Sequence, residues 1–382
     1  MRIRDKRLAQ HRPGVSINMK RRDFIAATVA ATVSPAQTAN PGQLFVGAWQ
    51  KKVVIIDEAT KRVSGEVELK LDVPRSISFS EDKKKIVVHS AMDCGFEIID
   101  IATRKLEHSF KLNDGGKKYR LSGFASSPDD KKLYTSLYSV EKKIDRFEVN
   151  KPQWAIIDME NGKFEKFVDL PKDQESRGNG RGGGLRVSPD GKNLYQFRDN
   201  VYIYSTADFK EVDKIELSKP MFPGIERVQI GPGDDPHEER GMVLGFFNST
   251  DPIVHRATFG FAKFDLNKRT FDFTPVGPIT AQIMGLRLSP DRKTGYTIAF
   301  NGAGASRRCE FWTFDINSKR LVKTQEFDGR SRFDFSLSSD GKLVYIFGAG
   351  NTVEMYDAAT YKLVKDLDVN TDMTSNMLVL PG

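Results

Sequence analysis

Ser188-Pro189-Asp190-Gly191-Lys192-Asn193-Leu194-Tyr195 reads as a tight turn, with strand-like runs at Gly184–Val187 and Asn193–Phe197. Proline fixes φ, while Asp and Gly tolerate the conformations a short hairpin demands. The phrase returns as Ser80-Glu81-Asp82-Lys83, Ser127-Pro128-Asp129-Asp130, Ser289-Pro290-Asp291-Arg292 and Ser338-Ser339-Asp340-Gly341, with a degenerate copy at Pro232-Gly233-Asp234-Asp235. A chain that restates one hairpin at long intervals is an array of like units.

A second element alternates with the first: an apolar stretch, an Asp, a short polar turn, then Lys or Arg and another apolar residue. It appears at Val53–Val63 around Asp57, Phe96–Leu106 around Asp100, Trp154–Phe164 around Asp158, and Val201–Val212, where Ser205 replaces Asp. It continues at Phe261–Phe271 around Asp265, Phe311–Leu321 around Asp315 and Val353–Leu363 around Asp357. The spacings are 43, 58, 47, 60, 50 and 42, so seven copies of about 50 residues account for the chain beyond its leader. Two hairpins per unit make four short strands, and helical periodicity is almost absent. Such a sheet buries both faces only between two like neighbours in a closed ring. The expected fold is all-β, a seven-bladed β-propeller with four-stranded blades.

With the strands of each blade labelled A to D, the chain enters at strand B (Leu44–Ala48). It ends with an A-like strand, Asn376–Leu380, expected to join the first blade and close the ring through Met377, Leu378 and Leu380.

Length and composition fit one large domain or two ordinary ones and do not choose between them. Hydrophobic residues make up 39% of the 382 and aromatics 10%, enough for a core. No apolar run approaches the ~20 residues that cross a bilayer, so no membrane span is expected. The net charge of +8 suggests nucleic acid until it is located. Residues 1–36 carry eight basic residues against Asp5 and Asp23, and the remainder has 51 basic against 49 acidic. A nucleic-acid footprint needs the excess in the folded part, so none is expected.

The leader has its own layout. Met19-Lys20-Arg21-Arg22-Asp23-Phe24 precedes the apolar Ile25–Val33, and Ser34-Pro35-Ala36 follows. A charged start, a short apolar stretch and small residues form a secretory signal. The paired arginines resemble a twin-arginine export signal, with Met19 as a possible true start. The predicted organisation is therefore an export signal over 1–36, a linker over 37–43 and one propeller over 44–382, in the periplasm or outside the cell. Oxidising compartments favour disulfides. Cys94 and Cys309, however, occupy matching contexts in separate repeats, so two buried, unpaired thiols are expected.

The repeat also locates the insertions. They fall in B–C connections (Tyr138–Gln153, Asn248–Gly260, Asn301–Arg308) and D–A connections (Leu112–Leu121, Lys172–Gly183, Thr274–Ile283), which share one face of a propeller. The other face has tight hairpins, Gly231–Arg240 excepted. Long connections on a rigid scaffold are where binding concentrates. Arg146, Arg177, Arg181, His255, Arg307 and Arg308 fall there and are the candidate partner- or ligand-face residues.

Catalytic motifs do not assemble. Gly178-Asn179-Gly180-Arg181-Gly182-Gly183 matches G-x-G-x-x-G, but a strand follows it where a dinucleotide site needs a helix. No His/Cys spacing suits a metal, and no C-x-x-C-H attaches a haem. His89 and His108 fall in strands, and the recurring Asp57, Asp100, Asp158, Asp265, Asp315 and Asp357 read as turn residues. The expectation is no catalytic, cofactor-binding or metal residue in this chain.

Ser188–Tyr195 and Val53-Val54-Ile55-Ile56-Asp57 resemble the YVTN-type bacterial propeller repeats. Leu44–Val63, Arg146–Phe164 and Val353–Leu380 more narrowly resemble the β subunit of quinohaemoprotein amine dehydrogenase. That resemblance implies a periplasmic heterotrimer oxidising primary amines to aldehydes. Its quinone would lie on a small partner subunit and its c-type haems on a larger one, with the propeller walling the quinone site. The alternative is a stand-alone binding or scaffold propeller for a protein or carbohydrate. A self-sufficient propeller enzyme such as a lactonase is the third class.

Overall fold

The computed structural model describes residues 42–382 except 91, 172–183, 199, 218–227, 233–237, 251–252, 254, 280, 303–305 and 328–332. The expected export signal over 1–36 and most of the expected linker over 37–43 lie outside them. The described secondary structure is all β, arranged as seven antiparallel sheets.

Strands β1 (Gln43–Ala48), β2 (Lys52–Asp57) and β3 (Arg62–Glu68) open the first blade. The second is β4 (Pro74–Phe79), β5 (Lys85–Ser90), β6 (Gly95–Asp100) and β7 (Lys105–Lys111). The third holds β8 (Lys117–Ser126), β9 (Lys132–Lys142), the short β10 (Phe147–Val149), β11 (Gln153–Asp158) and β12 (Lys163–Asp169). The fourth is β13 (Leu185–Val187), β14 (Asn193–Phe197), β15 (Val201–Ser205) and β16 (Glu211–Ile215). The fifth is β17 (Gln229–Pro232), β18 (Met242–Thr250), β19 (Ala257–Asp265) and β20 (Thr270–Pro278). In the sixth, β21 (Gln282–Ile283) and β22 (Arg287–Leu288) share the inner position beside β23 (Thr294–Asn301), β24 (Arg308–Asp315) and β25 (Arg320–Phe327). The seventh is β26 (Phe333–Leu337), β27 (Leu343–Gly348), β28 (Thr352–Asp357) and β29 (Leu363–Asp368), and β30 (Met373–Leu380) returns to the first blade.

The core is seven inter-blade layers. Strand side chains alternate between faces, and here both faces are buried, so central strands are apolar without interruption. In β1, Leu44, Val46 and Ala48 pack against the seventh blade, while Phe45 packs against the second. In β2, Val54 and Ile56 face one way and Val53 and Ile55 the other. Equivalent layers join every other consecutive pair of blades. Cys94 lies in the layer between blades two and three, and Cys309 in that between six and seven. Both thiols are free and buried, and burial pushes Cys94 up to about 12.

Closure is as expected and more extensive. β30 pairs with β1 from Gln43↔Leu380 to Ala48↔Met373, with one irregularity. Met373, Met377, Leu378 and Val379 are buried, while Leu380 is only partly so. The amide of Gly47 donates to Ser375 Oγ at 2.8 Å. Glu58 adds a clip to the seventh blade, accepting from Ser339 N at 3.0 Å and from Tyr345 OH at 2.9 Å.

The repeat turns share one chemistry. In the A–B hairpins the serine hydroxyl donates to the Asp two residues on, as Ser188 to Asp190 at 2.5 Å, and accepts the amide five residues on. In the C–D turns the Asp carboxylate accepts the amide three residues on, as Asp57 from Thr60 at 2.7 Å. These hydrogen bonds hold Asp57, Asp100, Asp158, Asp265, Asp315 and Asp357 below the usual carboxylate range. They are turn residues.

Candidate functional site

B–C and D–A connections emerge on one face of the ring, A–B and C–D turns on the other. Exposed large apolar side chains divide sharply between them. Trp49, Met92, Ile144, Phe147, Val149 and Ile253 occupy B–C connections, and Phe167, Val212, Leu321, Val322, Leu363 and Val364 lie on outermost strands. Among the described residues, none lies in an A–B or C–D turn. Five of the six on the elaborated face fall on the first three, consecutive blades, an apolar arc along one side of the ring.

The arc rises highest at the third blade. Sequence reading made Leu112–Leu121 and Tyr138–Gln153 loops, and the structure corrects this. β8 and β9 continue past the blade, pairing out to Lys117↔Glu141, and β10 adds to the other side of β9 at Phe147↔Lys142 through Val149↔Val140. The insertions are strands because their backbone groups bond one another above the ring. Tyr119 packs on Phe164 and Phe167, with centroids 4.7 and 6.2 Å away. Lys143 bridges Glu141 at 2.6 Å and Glu148 at 4.0 Å, and its hydrogen bond holds Glu141 below its ordinary range. β10 ends the sheet, so one side of its backbone is unpaired beside exposed Phe147 and Val149. Part of Asn248–Gly260 and Thr274–Ile283 likewise becomes extended strand in β18, β19 and β20.

The candidate residues are dispersed over this face. Arg146 is exposed beside β10 and pairs with its neighbour Asp145 at 3.1 Å. His255 is exposed, with φ of 52°. Arg307 lies over the Phe300 ring at 4.1 Å, and Arg308 pairs with Glu326 at 2.7 Å. Arg177 and Arg181 lie outside the described residues, as does most of the degenerate hairpin at 232–235. No described contact joins the four placed residues into one cluster. The signal that sequence reading missed is the apolar arc, visible only once loops are sorted by face.

The plainer face holds a cavity of about 690 Å³ between the second and third blades. Glu81, Asp82, Asp129, Asp130 and Glu160 line it together with Lys85 and His108. Burial pushes the Asp130 carboxyl up, although the Glu81 amide donates to it at 2.7 Å. Among the described residues, no group of three or more His, Cys, Asp or Glu could hold a metal ion, and no helix is long and apolar enough to cross a membrane.

No known family model matches the chain, and no curated protein matches it in sequence. Solved structures are similar in fold. A functionally unknown protein from Desulfotomaculum acetoxidans aligns with TM-score 0.52 and 14% identity over 89% of this chain and 99% of that one. Dihydro-heme d1 dehydrogenase NirN, in complex with DHE, aligns with TM-score 0.50 and 14% identity over 89% and 75%. Hydrazine synthase of Kuenenia stuttgartiensis aligns at TM-score 0.48 and 13% identity over 81% and 95%, too distant to carry an argument. At these identities the likeness establishes the propeller fold and nothing finer.

Proposed function

We propose that this chain is the non-catalytic propeller subunit of an exported amine-oxidising complex of the quinohaemoprotein amine dehydrogenase type. Primary amines become aldehydes on partner subunits, a small one bearing the quinone and a larger one bearing c-type haem. The propeller docks the quinone-bearing subunit and walls its site. The supporting observation is the one-sided apolar arc, Trp49, Met92, Ile144, Phe147 and Val149, which suits a persistent protein partner. The free edge of β10 offers that partner's backbone a strand to pair with.

The test is a native mass of the tagged chain from its own host, beside a Phe147→Asp/Val149→Asp variant. Both side chains are exposed, so the variant's stability should change by under about 0.5 kcal/mol per site. The wild type should carry two further subunits and the variant should lose them. A monomeric wild type, or equal masses, would contradict the docking role.

A further inference from the structure

The inner strands enclose an axial cavity of about 740 Å³, within the range of small-molecule sites. Its wall is apolar over Ile77, Phe79, Phe124, Leu185, Met377 and Leu378, yet four cations face it against two carboxylates. These are Arg75, Lys83, Arg186 and Arg287 against Glu81 and Glu238. Arg186 is engaged with Glu238, Nη2 to Oε2 at 3.0 Å. Arg287 is only half engaged. Its Nη2 meets Asp334 at 3.1 Å and its guanidinium lies 4.8 Å over Phe335, but its Nη1 is buried without a hydrogen-bond partner. Arg75 is exposed to the cavity and makes no ion pair or hydrogen bond among the described residues. Its uncompensated charge is felt at His89, whose protonated form it disfavours.

We propose that this cavity binds a small organic dianion, one oxyanionic head on Arg287 and the other on Arg75. The apolar wall strengthens the pull of Arg75, which no carboxylate neutralises, and on Arg287 a buried N–H without a partner gains most from an acceptor. Two heads are called for because Arg75 and Arg287 line the same cavity. The site is independent of the assembly proposed above.

Calorimetric titration of the purified full chain with succinate, acetate and inorganic phosphate, in chloride-free buffer, tests it. Succinate should saturate one site per chain, about tenfold more tightly than acetate, with phosphate no better than acetate. Arg75→Gln should reduce succinate to the acetate level, and Arg287→Gln should weaken both carboxylates. Arg320→Gln, exposed at the start of the outermost strand β25, should change nothing. Should Arg287→Gln fail to fold, Arg75→Gln decides alone, since that side chain holds no partner in the fold. The proposal is overturned by no saturable binding of any probe, by phosphate matching succinate, or by succinate binding that Arg75→Gln leaves intact.

Discussion

His89 is the penultimate residue of β5, with its ring 5.1 Å from that of Phe96 and 5.5 Å from that of Phe124. Burial, and secondarily the charge of Arg75, lower its pKa to about 4. The unfolded chain, with a histidine pKa near 6.5, therefore takes up its proton first as the pH falls. The stability lost between pH 7 and pH 4 through this one group is about 3 kcal/mol. Urea unfolding across that range should show the decline, and His89→Leu should remove it. The turn aspartates act lower on the scale. Their folded pKa values lie below the unfolded ones, so their contribution is complete above about pH 4 and lost beneath it. Their role was legible in the sequence because they recur in six of the seven blades, with Ser205 in the other. The setting of His89 was not, because Phe124 reaches it from the next blade.

Every C–D turn places its fifth residue in the left-handed region, from Lys61 and Lys319 at 53° to Gly162 at 63°. Six of the seven tolerate a side chain there, so conformation alone does not demand glycine at 162. Packing does. A Cβ on Gly162 would stand 2.7 Å from Phe110 Cβ and Cγ in the second blade. Gly162→Ala should cost about 1–3 kcal/mol in denaturant unfolding, through forced repacking of Phe110. Lys61→Gly should shift stability by no more than about 1 kcal/mol, because relief of left-handed strain is offset by glycine's freedom in the unfolded chain. The strand content of each blade was readable from the alternating apolar runs and turn phrases. The ribbon of β8, β9 and β10 was not, because its residues are mixed in polarity and pair above the ring without a buried face to mark them.

At the scale of the molecule, seven equivalent layers make a ring in which no blade is complete without two neighbours. β30 is the only part of the first blade contributed from the far end of the chain. Burying each of Met373, Met377, Leu378 and Val379 contributes about 2 kcal/mol. Their sum matches the ~5–15 kcal/mol that holds an ordinary domain together. Deleting residues 373–382 should therefore abolish cooperative unfolding and yield aggregated protein, read by circular dichroism melts and light scattering. The closed ring also fixes the elaborated face as a rigid platform, and the apolar arc on blades one to three is its least self-sufficient surface. That arc supports docking of a protein partner, the step on which the proposed redox assembly rests. The most direct test is the visible absorption spectrum of the tagged protein purified gently from its native host, before and after adding a primary amine. A haem Soret band that shifts to its reduced form with amine is the predicted result. A colourless propeller whose native mass shows it intact and alone would contradict the account.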